Sequence, residues 1–232
     1  MIKKSPKSLQ SILEETTWFK ALPRTSQEQV LLSSYECHYF EGEAVARIGG
    51  VASAWIGVAE GLLKIITVHR TGRVVMLTGV PTGGWVGEGS VLKRIERQYD
   101  IVAMRDSRVI FMPGPTFRHL LDTSIEFNRI IIERLNERLA QFIKMVDIDR
   151  LNDPTARVAR SIATLYNPVL YPDMSNFIQL SHSELGELIG MSRQSVGSAL
   201  KILETEGLIA AVYGGVVVKE LSLLSEYRER EK

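Results

Sequence analysis

The stretch LSHSELGELIGMSRQSVGSALKILETEGL, from Leu180 to Leu208, constrains this chain more than any other. Ser181 stands three residues before Glu184, the spacing at which a hydroxyl and a carboxylate each satisfy a free amide of a first helical turn. Leu185, Leu188 and Ile189 give the helix that follows an apolar face, and Gly190 can turn left-handed at its end. Ser192 is placed to cap a second helix, in which Val196, Ala199, Leu200 and Leu203 recur at i, i+3, i+4 and i+7. Arg193, Gln194, Ser198 and Lys201 are left on the outer face, with Ser192 and Ser195 at its head. Long polar side chains there reach base edges in the major groove, Arg pairing with guanine and Gln with adenine, while a later Lys meets phosphate. Leu208 to Tyr213, Gly214-Gly215 and Val216 to Lys219 then predict a tight hairpin with its tip on the two glycines. Two helices followed by such a hairpin make a winged helix-turn-helix. An apolar stripe alone would fit a buried helical hairpin equally well. Capping box, turn glycine, polar face and wing together point to double-stranded DNA.

Charge does not add to that signal. From Leu151 to Lys232 there are 8 Arg and Lys against 10 Asp and Glu, so attraction to phosphate has to come from local placement. With 232 residues and 45% apolar content, one or two domains with real cores are expected. The N-terminal MIKKSPKSLQSILEE has no apolar run of signal-peptide length, and no stretch approaches the ~20 apolar residues of a membrane span. The expectation is a cytoplasmic protein with no membrane partner. Cys37 is the only cysteine, which excludes an internal disulfide and a four-cysteine iron–sulfur site within one chain. Cys37 and His38 read as structural residues, since no second Cys or His lies at ligand spacing, and no metal site is expected. The P-loop, G-x-S-x-G and H-E-x-x-H patterns are absent, and the glycines of GGWVGEG lack the third position and the following helix of a dinucleotide loop. An enzyme is not expected.

Along the chain, Leu9, Ile12 and Leu13 predict a short opening helix, and Thr25 with Glu28 a capping box before Val30, Leu31 and Leu32. Between Tyr39 and Val91 stand eleven of the 18 glycines, separating short runs such as LLKIITVHR and RVVMLTGV. That texture predicts an antiparallel barrel or roll with a hairpin tip at Thr71-Gly72, and a closed roll offers an interior pocket. IVAM and RVIFM continue it, and a helix starts near Pro115-Thr116-Phe117. From Ser124 to about Asp149 the glycines vanish, and Ile132, Leu135, Leu139, Phe142 and Val146 recur at 3-4-3-4 spacing. This is a coiled-coil seam of about two heptads, short of the three to four that stand alone. It predicts a dimer helix supported by its neighbours, with ordinary core burial as the rival. Asp153 before Pro154 predicts an N-cap with proline at the first helical position, and Val158, Ile162 and Leu165 share a face of the helix it opens. The fold class is therefore α+β: an N-terminal antiparallel, jelly-roll-like β-roll, a long central dimerisation helix and a C-terminal winged helix-turn-helix. The corresponding domains are 1–122, 123–150 and 151–232.

The order of glycine-rich roll, GGWVGEGS, long helix and MSRQSVGSALKILETEGLI resembles the Crp/Fnr family of bacterial transcription regulators over nearly the whole chain. The resemblance implies a homodimer joined along the central helix, a small effector in the roll that repositions the DNA-binding domains, and RNA polymerase as a partner if the protein activates. Such dimers read two half-sites ~34 Å apart, so the operator is expected to be a pseudo-palindrome. Nucleotide-binding members carry a Gly-Glu for the ribose and an Arg-Ser for the cyclic phosphate. Gly87 and Glu88, continuing into Gly89 and Ser90, match the first. Arg97 falls one residue short of the expected spacing, and Gln98 replaces the Ser. Arg97 fits either an anion ligand or a solvated surface charge. Where cyclic-AMP receptors present a Thr-Ser pair to the adenine, this chain has Phe142 and Ile143, which cannot hydrogen-bond a base. Polar atoms buried unpaired there would cost roughly 1–3 kcal/mol each. Cyclic AMP is thus disfavoured, and the effector is left unidentified. The cysteine cluster of the oxygen-sensing branch is absent from residues 1–36, which excludes iron–sulfur sensing, and His69, in a predicted turn beside Arg70, is a poor haem ligand. In the family, Arg193, Gln194 and Ser198 occupy base-choosing positions and Lys201 a phosphate-touching one. Gln194 and Ser198 differ from both the cyclic-AMP receptor and the oxygen sensors, so the operator is expected to differ from theirs. The alternative function is a ligand-binding module that acts through protein contacts rather than DNA.

Overall fold

Ser8 accepts the amide of Ser11 and starts α1 (Leu9–Glu15), which buries Leu13, and α2 (Thr17–Lys20) follows and buries Trp18 and Phe19. The computed structural model describes residues 7–228; Lys3 and Lys4 of the N-terminal stretch and residues 229–232 lie outside the described residues. The Thr25–Glu28 capping box does not form. Pro23, extended at φ −57° and ψ 150°, serves as N-cap of α3 (Arg24–Ser33), which places Thr25 inside the first turn. Glu28 is instead held by Arg24 Nε at 3.3 Å, one turn away.

The glycine-punctuated region folds into β1 (Tyr35–Tyr39), β2 (Ala44–Ala46), β3 (Ala54–Glu60), β4 (Leu62–Val68), β5 (Val74–Pro81), β6 (Trp85–Val86), the helix α4 (Glu88–Lys93), β7 (Asp100–Ala103) and β8 (Ser107–Pro113). The strands make two four-stranded sheets, in the orders β1-β8-β3-β6 and β2-β7-β4-β5. In the first, β8 pairs antiparallel with β1 and β3, placing Phe111 opposite Tyr35 on one side and Ile56 on the other. In the second, β7 pairs antiparallel with β2 and β4, and Ile101 faces Ile65. The hairpin at Thr71-Gly72 is present: the His69 amide donates to Arg73 O at 2.9 Å and the Gly72 amide to His69 O at 2.8 Å. His69 is exposed beside this turn, and Cys37 is half-buried in β1 opposite Val109. α4 corrects the expectation that no helix follows GGWVGEG. It spans six residues, has Gly87 as its N-cap, and still lacks the third glycine of a dinucleotide loop.

After β8, α5 (Gly114–Thr123) and α6 (Ile125–Asp149) follow in sequence. An aromatic core joins the helices to the roll. Trp55 of β3 lies tilted against Trp85 of β6 with ring centroids 4.4 Å apart, Trp18 of α2 meets Trp85 edge-on at 5.1 Å, and Phe117 of α5 lies 5.5 Å from both Trp55 and Phe127 of α6.

In the C-terminal part, Asp153 accepts the Thr155 amide at 2.8 Å and Pro154 opens α7 (Pro154–Thr164), as its sequence predicts. β9 (Phe177–Ile178), α8 (His182–Ile189), α9 (Arg193–Thr205), β10 (Ile209–Val212), β11 (Gly215–Val218) and α10 (Leu221–Ser225) complete the described chain. The wing tip is Tyr213-Gly214, one residue before the predicted glycine pair, because Gly215 is already in β11 opposite Val212. The reason is a third strand. β9 pairs with β11, and a side chain on Gly215 would run into the Ile178 carbonyl oxygen. The described residues form two compact units, residues 7–66 with Gly79–Asn136 and Thr67–Thr78 with residues 137–228, so the division falls within α6.

Candidate nucleic-acid interface and effector pocket

The helix-turn-helix is built by the local bonds its spacing implies. Ser181 Oγ accepts the Glu184 amide at 3.2 Å while Glu184 Oε2 accepts the Ser181 amide at 2.7 Å. Gly190 ends α8 left-handed, at φ 71° and ψ 34°. Ser192 Oγ accepts the Ser195 amide at 3.1 Å and lies 2.9 Å from Ser195 Oγ, so both hydroxyls belong to the start of α9. Val196, Ala199, Leu200 and Leu203 are buried, and Arg193, Gln194, Ser198 and Lys201 are exposed. Two further groups join this surface that sequence reasoning did not single out. The His182 ring lies against Gly197, whose side chain, if it had one, would sit 3.3 Å from Nδ1. Tyr213 stands fully exposed at the wing tip. His182, Ser183, Arg193 and Gly214 share the wall of a cleft of about 370 Å³. No periodicity marks His182; its position just after the N-cap is the only sequence signal. Tyr213 could have been found only by placing the tip one residue earlier.

In the roll, Gly87, Glu88 and Arg97 come together. Arg97 is 3% exposed, which overturns the surface-charge alternative. Its guanidinium donates to Gly87 O at 3.1 Å and to Ala54 O, and Nε is left without a partner. Burial lowers the Arg97 pKa below its ordinary value, opposed by Tyr99 and Glu88. Gly87 is left-handed at φ 90°, and a side chain there would strike this guanidinium. Glu88 and Ser90 are buried in α4 and Gly89 half-buried, whereas Gln98 is exposed and donates to Glu96 O at 2.9 Å. Beside Arg97 lies a cleft of about 130 Å³, to which Arg47, Ser53 and Phe111 contribute. Small-molecule sites commonly measure about 300–1,000 Å³. This cleft falls below that range, and the Arg97 guanidinium beside it donates to the backbone carbonyls of Gly87 and Ala54.

The two faces of α6 differ sharply. Phe127, Ile131, Arg134, Gln141 and Ile148 are buried, while Ile132, Leu139, Ile143 and Val146 are 58%, 59%, 61% and 56% exposed. Leu135 and Phe142 are half-buried at the edge of the exposed stripe. Phe142 lines a cleft with Val74 and Met76 in the second unit. Arg134, 4% exposed, donates to Trp85 O at 3.0 Å and lies 5.7 Å from the Trp55 ring centroid, a cation–π contact. The sequence signal for it was a charge continuing the 4-3 spacing of Phe127 and Ile131.

A β-roll that carries such a cassette, in one chain with a winged helix-turn-helix, defines the class of ligand-sensing transcription regulators. Comparison with known proteins agrees: the cyclic nucleotide-binding domain matches residues 36–124 and the Crp-like helix-turn-helix domain residues 156–227. The cyclic AMP receptor protein of Thermus thermophilus is 28% identical over 192 residues, covering 81% of this chain and 85% of the relative. Among solved structures, the c-di-GMP responsive global regulator CLP of Xanthomonas campestris is 25% identical with a TM-score of 0.61, covering 84% of this chain and 99% of that one. FixK2 from Bradyrhizobium japonicum shares the fold at a TM-score of 0.69 and 14% identity, over 86% and 99% of the two chains. The chain belongs to the Crp/Fnr family of transcription regulators. No described helix is long and apolar enough to cross a membrane, and no cluster of three or more metal-ligating side chains occurs among the described residues.

Proposed function

We propose that the protein is a homodimeric, sequence-specific regulator of transcription that reads a pseudo-palindromic operator, under the control of a small molecule other than cyclic AMP held in the roll. The observation that carries this reading is the division of α9, with its apolar residues inward and Arg193, Gln194, Ser198 and Lys201 outward. In this reading, residues 1–122 sense, 123–150 dimerise and 151–232 bind DNA, with RNA polymerase as a partner wherever the protein activates. It acts in the cytoplasm and catalyses nothing. The exposed stripe of Ile132, Leu139, Ile143 and Val146 supports the dimer. The names of the relatives point to cyclic AMP in one case and c-di-GMP in another. Against cyclic AMP stand the cleft of about 130 Å³, Arg97 held by two carbonyls, and Phe142 and Ile143 in place of hydrogen-bonding groups.

Arg193→Ala is expected to lose about 1–3 kcal/mol on the operator and to relax one base position. Lys201→Ala is expected to weaken all sequences similarly and to lower the salt slope by about one. Titration of operator and random duplexes at several salt concentrations checks both. Equal losses on the two duplexes for Arg193→Ala would refute base reading. An affinity nearly indifferent to salt would favour the ligand-binding module acting through protein contacts, because phosphate contacts release counterions. Calorimetric titration with cyclic AMP is expected to show no binding in the micromolar range. Micromolar binding would overturn the effector half of the reading and leave the DNA half standing.

A further inference from the structure

The buried face of α6 looks away from the exposed stripe. Taking 100° per residue, Leu139 and Gln141 lie about 160° apart around the helix. Against that face, between α6, α7 and Ser225 of α10, opens a cleft of about 300 Å³. Two residues of its wall each carry a buried polar atom without a partner, Gln141 at Oε1 and Tyr166 at its hydroxyl. The orientation of the Gln141 amide is set by chemistry: its nitrogen donates to Thr164 O at 3.4 Å, an oxygen that can only accept, which leaves Oε1 as the unmet atom. Gln141 is 4% exposed. Burial pushes the Tyr166 phenol up to about 12, so it keeps its proton at physiological pH. Buried polar groups in folded proteins are nearly always paired, and two unmet groups on one cleft point to something that binds there.

Charges of both signs surround these neutral groups. Glu137 and Asp147 line the cleft with Lys144 and Arg160. Asp147 and Arg160 are loosely paired at 3.7 Å, and Glu137 accepts from Asn167 at 2.7 Å. A simple anion would meet the two carboxylates, and a simple cation the Lys and Arg. A zwitterion satisfies both, and the volume stands at the lower end of the range for small-molecule sites. We propose that this cleft binds a free α-amino acid, with its ammonium donating to Gln141 Oε1 and its carboxylate accepting from the Tyr166 hydroxyl and Lys144. It would be a ligand site separate from the cassette around Arg97. A partner helix seated on the stripe of Leu139 would leave it open.

Thermal melts and calorimetry of the full-length protein with each of the standard L-amino acids test this, alongside Tyr166→Phe and Gln141→Leu. Tyr166→Phe removes a single oxygen and keeps the packing, so its fold is not at risk. The expected result is that at least one amino acid raises the melting temperature and binds once per chain. Its N-acetyl derivative, which lacks the ammonium, is expected not to bind, and each variant to bind at least tenfold more weakly. Absence of any binder overturns the proposal, as does a binder that both variants hold as tightly as the wild type. Variants that melt higher than the wild type while no amino acid shifts any of the three proteins would mean that the cleft holds water alone, and the proposal falls.

Discussion

Trp55→Ala is expected to remove about 3–5 kcal/mol from the stability of the roll, the usual range for deleting a buried aromatic ring. Trp55 is fully buried, and its neighbours come from separate elements: Trp85 at 4.4 Å, Trp18 at 5.3 Å, Phe117 at 5.5 Å and Phe127 at 6.0 Å. Rigid rings arriving from β6, α2, α5 and α6 cannot move in together to fill the space, so a large part of the cavity stays open. Tilted and edge-on ring pairs are each worth about 0.5–1.5 kcal/mol beyond area burial, and several are lost at once. Arg134 loses in addition the ring its guanidinium faces, yet stays tied to the Trp85 carbonyl. All three tryptophans of the chain, Trp18, Trp55 and Trp85, lie in this cluster. Denaturant unfolding followed by tryptophan fluorescence therefore reports this core, and circular dichroism the whole chain. A loss under about 1 kcal/mol would mean that the cluster repacks and is not the rigid centre described.

Leu139→Glu is expected to convert the proposed dimer to monomer and to abolish tight operator binding while leaving each chain folded. Ile132, Leu139, Ile143 and Val146 fall within about 60° of one another around α6, along some 21 Å of its length. Each is more than half exposed in the single chain, so a charge at 139 costs the folded monomer almost nothing. In a two-fold interface the same residue enters from both sides, so one substitution buries two carboxylates. Desolvation costs several kcal/mol per ion, and a seam of two heptads has little reserve against it. Light scattering is expected to show the mass halve, with an unchanged circular dichroism spectrum. Operator affinity is expected to fall by at least about a hundredfold, because the two half-sites are no longer held by one particle. A variant that remains dimeric would place the interface elsewhere than on this stripe.

The parts of the molecule legible from the chain are those whose physics is local. The Ser181–Glu184 box, the Ser192 and Asp153 caps and the left-handed Gly190 each join groups two to four residues apart, so spacing alone announced them. The inward face of α9 and the apolar stripe of α6 followed from helical periodicity. The same rule failed at Thr25, where Pro23 was the better helix start and the capping pair became an ordinary turn of helix. In the wing, two adjacent glycines left the tip ambiguous by one residue, and the distant strand β9, by approaching Gly215, decided it.

The cassette shows the other limit. Gly87 and Glu88 were recognisable by type and order, but nothing near Arg97 in the chain says whether it faces water. It is buried because the carbonyls that hold it come from Gly87 and from Ala54, 43 residues away. Arg134 enters an aromatic core because Trp85, 49 residues distant, supplies an acceptor. The chain alone was enough for the helix ends set by local caps at Ser181, Ser192, Asp153 and Gly190, for the apolar face of α9, and for a roll that precedes a winged helix-turn-helix. Only the tertiary structure decided where Arg97, Arg134 and Gln141 are buried and which register the wing takes. Charge burial and strand register depend on partners that the chain brings together only when it folds.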